Sequence, residues 1–281
     1  MSFLLTLLKI SRPRFWVYVF GPYLVGLAAA AASANDLLRP GSIVFGLYFL
    51  FPANLLVYGI NDIFDFETDR LNPKKTEYEM LVRPETHRRL AIVIFALNLP
   101  FIIAAYFLAP RALPSLFGFI FFSLFYSAPP IRAKAVPIVD SAFNILYVLP
   151  AAFAFQMITG TFLPIAVLAA GGLWTAAMHA FSAVPDIESD KEAGVSTIAT
   201  FLGRTLTIIF CGAAYLGSAI LAFPYLGMTG IAAGLVYSGI MLYAVFQPEG
   251  SKIFRIYRVF PLINALVGFA LFWFIALPKF L

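Results

Sequence analysis

The chain has 281 residues, of which 62% are hydrophobic and only 12% charged. A soluble domain carries about 25% charged residues, so this balance excludes an ordinary water-soluble globule and points to lipid as the solvent. The formal net charge of +5 does not call for a nucleic-acid partner, because membrane topology accounts for where the basic residues fall.

A membrane-crossing helix needs about 20 apolar residues. Nine stretches qualify in chain order: Phe15–Ser33, Ser42–Asp65, Leu90–Ala109, Leu113–Tyr126, Ile138–Ile158, Phe162–Val184, Leu206–Phe223, Gly230–Phe246 and Val259–Leu277. The fourth is short. Runs this long and unalternating predict helices rather than barrel strands, since a backbone in hydrocarbon must satisfy its own hydrogen bonds. The expected fold is therefore all-α, a polytopic membrane protein of about nine transmembrane helices in one bundle, forming a single domain over residues 1–281. The first stretch follows basic residues as a signal peptide would, but it is too long for a cleaved apolar core and is expected to be retained. Cys211, the single cysteine, lies within the seventh stretch and reads as a small apolar packing residue.

With nine spans and the N-terminus in the cytoplasm, 16 of the 19 Lys and Arg fall on that side, leaving Arg39, Arg111 and Lys279 opposite. Such asymmetry is the positive-inside pattern, and it predicts a multi-pass plasma-membrane protein whose charged loops face the cytoplasm. Thirteen of the 14 Asp and Glu lie on the same side, with only Asp36 opposite. Carboxylates contribute little to topology, so their clustering needs another cause.

The second stretch ends in NLLVYGINDIFDFETDR, Asn54 to Arg70. On a continuous helix, Asn54, Tyr58, Asn61, Asp62, Asp65 and Asp69 share a sector of about 100° on an otherwise apolar surface. The sixth stretch ends similarly, with His179, Ser182, Asp186 and Asp190 on one face if the helix survives Pro185. Asp186 and Asp190 repeat the four-residue spacing of Asp65 and Asp69. Five aspartates at the membrane boundary repel one another unless a hard divalent cation neutralises them. Mg²⁺ suits them, taking one or two carboxylates plus substrate phosphate oxygens. Two such clusters together suit two metal ions on one diphosphate. A solvated acidic helix end is the plainer explanation of a charge run. It leaves unexplained the one-sided spacing and the polar groups that continue into the apolar part of each helix.

NDIFDFETD resembles the first aspartate motif of the UbiA superfamily of intramembrane prenyltransferases, and DIESDKEAG resembles the second, with Gly194 following it. YSAPPIRAK, Tyr126 to Lys134, is similar to the family's Tyr-Pro-Pro-basic landmark. The resemblance implies that Asp62, Asp65, Asp69, Asp186 and Asp190 bind Mg²⁺ and act in catalysis on a prenyl diphosphate donor. It places Lys74, Arg132, Lys134 and Lys191 as diphosphate contacts, and Asn54, Tyr58, Asn61 and Tyr126 along the substrate pocket. Lys74 serves equally as a headgroup anchor, and Arg12 and Arg14 of the SRPRFW segment are explained by topology alone. His179 reads most simply as a polar helix–helix contact, and Asp140 and Asn144 are left without a role. SRPRFW, PANLLVYGINDIFD, NPKK and PIVDS are most similar to the lycopene elongase branch, which implies dimethylallyl transfer to a lipophilic carotenoid acceptor. An aromatic quinone precursor, of hydroxybenzoate or naphthoate type, is the alternative acceptor. An ion-coupled transporter is the alternative outside the class, although such sites lie at the bilayer midplane rather than at helix ends.

Overall fold

A computed structural model describes residues 3–70, 80–247 and 250–280. Among these residues helices and short 3₁₀ turns are the only regular elements. They form two compact units. The first comprises Met1–Ile131, Leu149–Phe162 and Ile263–Leu281, and the second Arg132–Val148 and Leu163–Leu262. Each is assembled from separate stretches of chain, so no linker in the sequence marks either.

In the first unit, the second expected span is two helices, Pro40–Leu50 and Pro52–Phe64, joined at Phe51 with φ −125° and ψ −61°. Pro52 supplies no N–H to continue the ladder but fits the first turn of the next helix. The carbonyls of Phe49 and Leu50 are instead met by the Asn54 side-chain amide, at 2.9 Å each. The core of this unit is aromatic. Phe49 touches Tyr23, Phe119 and Phe153 with ring centroids 5.2, 5.6 and 5.4 Å away, and all four are fully buried. Helix Val17–Ala30 approaches Leu149–Thr159 so closely at Gly26 that a Cβ there would sit 2.6 Å from the Ala151 Cα.

The three basic residues expected on the far side have structural partners in this unit. Arg39 pairs with Asp36. Lys279 donates to the carbonyls of Ala28, Ala29 and Ala31 at the end of Val17–Ala30, at 3.1, 2.5 and 3.2 Å, where a cation also suits the helix dipole. Arg111 packs directly against Gly160.

The second unit centres on Ile165–Ala183 and the 48-residue stretch Ile198–Val245. That stretch is not straight. Gly227 adopts φ 53° and ψ −139°, a conformation open essentially to glycine, and the chain doubles back there. Tyr215 consequently stacks on Tyr237 at 4.7 Å, and Ser238 donates to the Gly212 carbonyl at 3.2 Å. Residues this far apart in sequence would be tens of ångströms apart on a continuous helix. The seventh and eighth expected spans are therefore the two arms of this hairpin. Cys211 is buried, donating weakly to the Ala177 carbonyl at 3.3 Å, as a packing residue.

Among the described residues, six helical segments have the length and composition to cross a membrane: Pro40–Phe64, Pro84–Leu108, Val139–Thr159, Ile165–Glu192, Ile198–Val245 and Lys252–Phe280. The expected first and fourth spans form shorter apolar helices, Val17–Ala30 and Leu113–Ser127. One of the six is the Ile198–Val245 hairpin with its two arms, and helix length by itself does not confirm the count of nine expected from hydropathy. Large apolar side chains such as Ile92, Phe95, Ile103 and Phe107 point outward, as lipid-facing surfaces do. The chain is an integral membrane protein.

Candidate active site

The first aspartate motif lies at the end of Pro52–Phe64. Asp62 is 3% exposed and Asp65 is fully buried. The helix does not run on unbroken to Arg70 as the sequence suggested. It ends at Asp65, with φ −105° and ψ 6°, and a short helix Phe66–Asp69 follows. The Asp69 N–H still bonds the Asp65 carbonyl at 2.8 Å, so all three carboxylates remain at one helix end, with Asp69 the most accessible.

Two partners that the motif alone does not contain complete this cluster. Arg12 Nη2 lies 2.7 Å from Asp62 Oδ1 and 3.4 Å from Asn61 Oδ1. Its guanidinium also sits 4.8 Å from the centre of the Tyr58 ring, a cation–π distance. Ser127, the last residue of Leu113–Ser127, donates to Asp65 Oδ2 at 2.8 Å. Asn61 Nδ2 donates to that same oxygen at 2.5 Å and to Ser127 Oγ at 3.0 Å. These charge-assisted hydrogen bonds fix the orientation of the two carboxylates. Arg12 left a signal in SRPRFW, which topology explained away. Ser127 stood beside Tyr126 in YSAPPIRAK, with nothing local to distinguish it.

The remaining predicted residues of this unit are placed as follows. Asn54 is fully buried with its amide committed to the Phe51 junction. Tyr58 is 7% exposed, its ring 6.0 Å from that of Phe15. Tyr126 is half-buried near the end of its helix. Lys74 lies outside the described residues.

In the second unit, Ile165–Ala183 gives way to a 3₁₀ turn over Val184–Asp186, then to helix Ile187–Glu192. Pro185 interrupts the α-helix, as its missing N–H requires. Asp186 and Asp190 are half-buried; Lys191 is exposed, 3.9 Å from Glu188. Gly194, at φ 67°, closes the segment, and the Val195 N–H bonds the Asp190 carbonyl at 2.8 Å. Arg132 is exposed and left-handed at φ 45°, and Lys134 is half-buried.

Asp140 and His179 also meet within this unit. Asp140 is fully buried. Its Oδ1 accepts the Ser141 N–H at 2.7 Å, and its Oδ2 accepts the Ile198 N–H at 2.8 Å. Asn144 donates to the Asp140 backbone carbonyl at 2.7 Å. His179 Nε2 stands 3.6 Å from Asp140 Oδ2, its side chain 15% exposed.

Among the described residues no three His, Cys, Asp or Glu side chains converge into a ready-made metal cage. The donor set is nonetheless hard carboxylate oxygen, two of the groups buried and oriented by hydrogen bonds. It fits Mg²⁺, which takes few protein ligands and completes its shell from phosphate and water. It does not fit zinc, which needs three or four side chains of softer type.

Apolar helices ending in buried, hydrogen-bonded aspartates make this an integral membrane protein with a candidate acidic site. A match to the UbiA prenyltransferase family covers residues 19–260. The chain belongs to that family and is a prenyltransferase.

Within it, the chain is 40% identical over 266 residues to a lycopene elongase/hydratase of Haloferax volcanii, covering 94% of this chain and 86% of the relative. It is 39% identical to a lycopene elongase/hydratase of Halobacterium salinarum, covering 93% and 94% of the two chains. The fold is shared with a UbiA homologue of Archaeoglobus fulgidus solved with GPP and Mg²⁺. That match has a TM-score of 0.65 at 22% identity and covers 95% of this chain and 99% of the other.

Proposed function

We propose that this protein catalyses Mg²⁺-dependent transfer of a dimethylallyl group from its diphosphate to the end of lycopene or a related carotenoid. The observation that carries the reading is the 40% identity to a lycopene elongase/hydratase across 94% of the chain. The buried carboxylates of Asp62 and Asp65 supply the chemistry it needs. Asp62, Asp65 and Asp69 of the first motif, with Asp186 and Asp190 of the second, would hold the metal. When bound, Mg²⁺ supplies positive charge that stabilises the departing diphosphate.

The chain's own groups do the rest. Asn61 and Ser127 orient Asp65, and Arg12 holds Asp62. Lys134 and Lys191, with Arg132, add cationic contacts to the diphosphate as charge develops on it; Lys74 belongs to the same proposal. Tyr58 and Tyr126 present aromatic faces to the allylic cation. The acceptor enters from lipid, and the chemistry takes place on the cytoplasmic side of the plasma membrane.

The test is expression in cells that make lycopene, with the wild-type chain, Asp65→Ala and Asp186→Ala, and mass analysis of the pigments. Gain of one or two five-carbon units, lost in both variants, is the expected result. Unchanged lycopene with the wild-type protein present in the membrane would sink the carotenoid assignment.

A further inference from the structure

The prenyl transfer proposed above leaves one proton to be removed, and Asp140 and His179 form a pair that the transfer step does not use. The bookkeeping of the reaction fixes this need. The allylic C–O bond breaks and its electron pair leaves with the diphosphate. The terminal C=C of the polyene supplies the pair for the new C–C bond, leaving a tertiary cation. That cation is quenched in one of two ways. It loses a proton from a neighbouring carbon, whose C–H pair becomes a C=C, or it adds water, which then sheds a proton. Either route releases one proton.

We propose that His179 accepts this proton and that Asp140 positions it. The inference rests on the prenyl-transfer reading. Three observations carry it. His179 lies seven residues before Asp186, about 10 Å along the helix at 1.5 Å per residue. On the prenyl-transfer reading, with Asp186 at the diphosphate, that puts it on the apolar side of Asp186, toward the prenyl chain. Asp140 is fully buried and its carboxylate accepts two backbone N–H groups, from Ser141 at 2.7 Å and Ile198 at 2.8 Å. Its Oδ2 faces His179 Nε2 at 3.6 Å, longer than a hydrogen bond, as base–orienter contacts often are before substrate binds. Finally, the chain adopts a costly conformation to present Asp140. Ile138 sits at φ 73° and ψ −46°, left-handed for a β-branched residue that strongly avoids that region.

In this proposal Nε2–H is directed at the carboxylate and Nδ1 takes up the proton. Once His179 is protonated, the adjacent Asp140 charge stabilises the imidazolium. A purely structural Asp140 would need only the Ile198 N–H, which it secures at the start of Ile198–Val245; that role does not require a partly exposed imidazole beside it.

The experiment compares His179→Gln and His179→Ala with wild type in lycopene-producing cells, reading the ratio of alkene to hydrated products and, in isolated membranes, diphosphate release from dimethylallyl diphosphate. A ratio does not depend on how much protein folds. A positioned base contributes about 10²–10⁴-fold, so a shift of about tenfold or more in the product ratio is expected, in either direction. Loss of elongated products with diphosphate release retained carries the same meaning. An unchanged ratio, or a parallel loss of release and products, overturns the role of His179 while leaving the prenyl-transfer reading standing. Wild-type protein that leaves lycopene untouched overturns both.

Discussion

Arg12 and Asp62 form a 2.7 Å ion pair in which the guanidinium is 13% exposed and the carboxylate 3%. They are 50 positions apart in sequence, and Arg12 reaches Asp62 from a left-handed backbone at φ 50°. The pair lies at the membrane boundary, where a lone carboxylate is costly to bury. The tethered guanidinium offsets that cost within the folded chain.

Arg12→Ala leaves Asp62 buried with its cation removed. Breaking a buried pair on one side costs about 3–5 kcal/mol, so the variant is expected to melt several degrees lower in detergent and to lose most of its product. Arg12→Lys keeps the charge but not the forked geometry that also reaches Asn61, and should fall between. Thermal melts and pigment analysis of the three proteins check this; equal stability would mean the pair contributes nothing.

Asp65→Asn keeps the size of the side chain and removes its charge. If Asp65 serves the metal, diphosphate release in isolated membranes should fall by at least about 10²-fold, with the melting temperature little changed. The comparison is made at saturating Mg²⁺ and at a tenfold lower concentration. Near-normal release at both would remove Asp65 from the metal-binding set.

Ser127→Ala deletes a donor to Asp65 Oδ2 and an acceptor from Asn61. Loss of one buried partner costs about 1–3 kcal/mol, which as lost turnover is about five- to a hundredfold. Ser127→Thr retains the hydroxyl and should recover much of the rate. Steady-state diphosphate release is the measurement, and equal rates for Ala and Thr would refute a positioning role.

Gly26→Leu tests the packing of Val17–Ala30 against Leu149–Thr159. Even a methyl at Gly26 meets the Ala151 backbone, its carbonyl oxygen included, and backbone cannot turn aside as a side chain can. The expected outcome is loss of folded protein from the membrane, read by size-exclusion chromatography. Gly227→Ala meets open space instead and carries only the conformational penalty of φ 53°, about 1–3 kcal/mol. It should therefore remain folded with a lower melting temperature.

The local signals in this sequence were those that depend on neighbours along the chain. Apolar runs placed the helices, because hydrocarbon forces the backbone to satisfy itself within each segment. Four-residue spacing placed Asp65 with Asp69 and Asp186 with Asp190, because helical geometry repeats every 3.6 residues. The turn at Gly227 falls in the gap between the expected spans Leu206–Phe223 and Gly230–Phe246, so it too was legible. The break at Asp65 was not: a helix end within a helical pattern leaves the spacing of the aspartates unchanged, and only the backbone angles reveal it.

Tertiary structure decided the partners. Nothing near Asp62 in sequence announces Arg12, and nothing near Asp65 announces Ser127; a serine at a helix end is ordinary until another helix brings an aspartate to it. His179 beside Asp140 is the same case, since the pairing exists only because one short helix is aimed by the left-handed Ile138. Asn54 shows the converse. Its position on the polar stripe suggested a substrate contact; in the fold its amide nitrogen donates to the Phe49 and Leu50 carbonyls at the Phe51 break. Composition and periodicity determine which groups must leave water and which face they share, because both follow from local geometry and solvation. Which buried charge meets which counter-group depends on distances between segments far apart in the chain, and folding alone sets those.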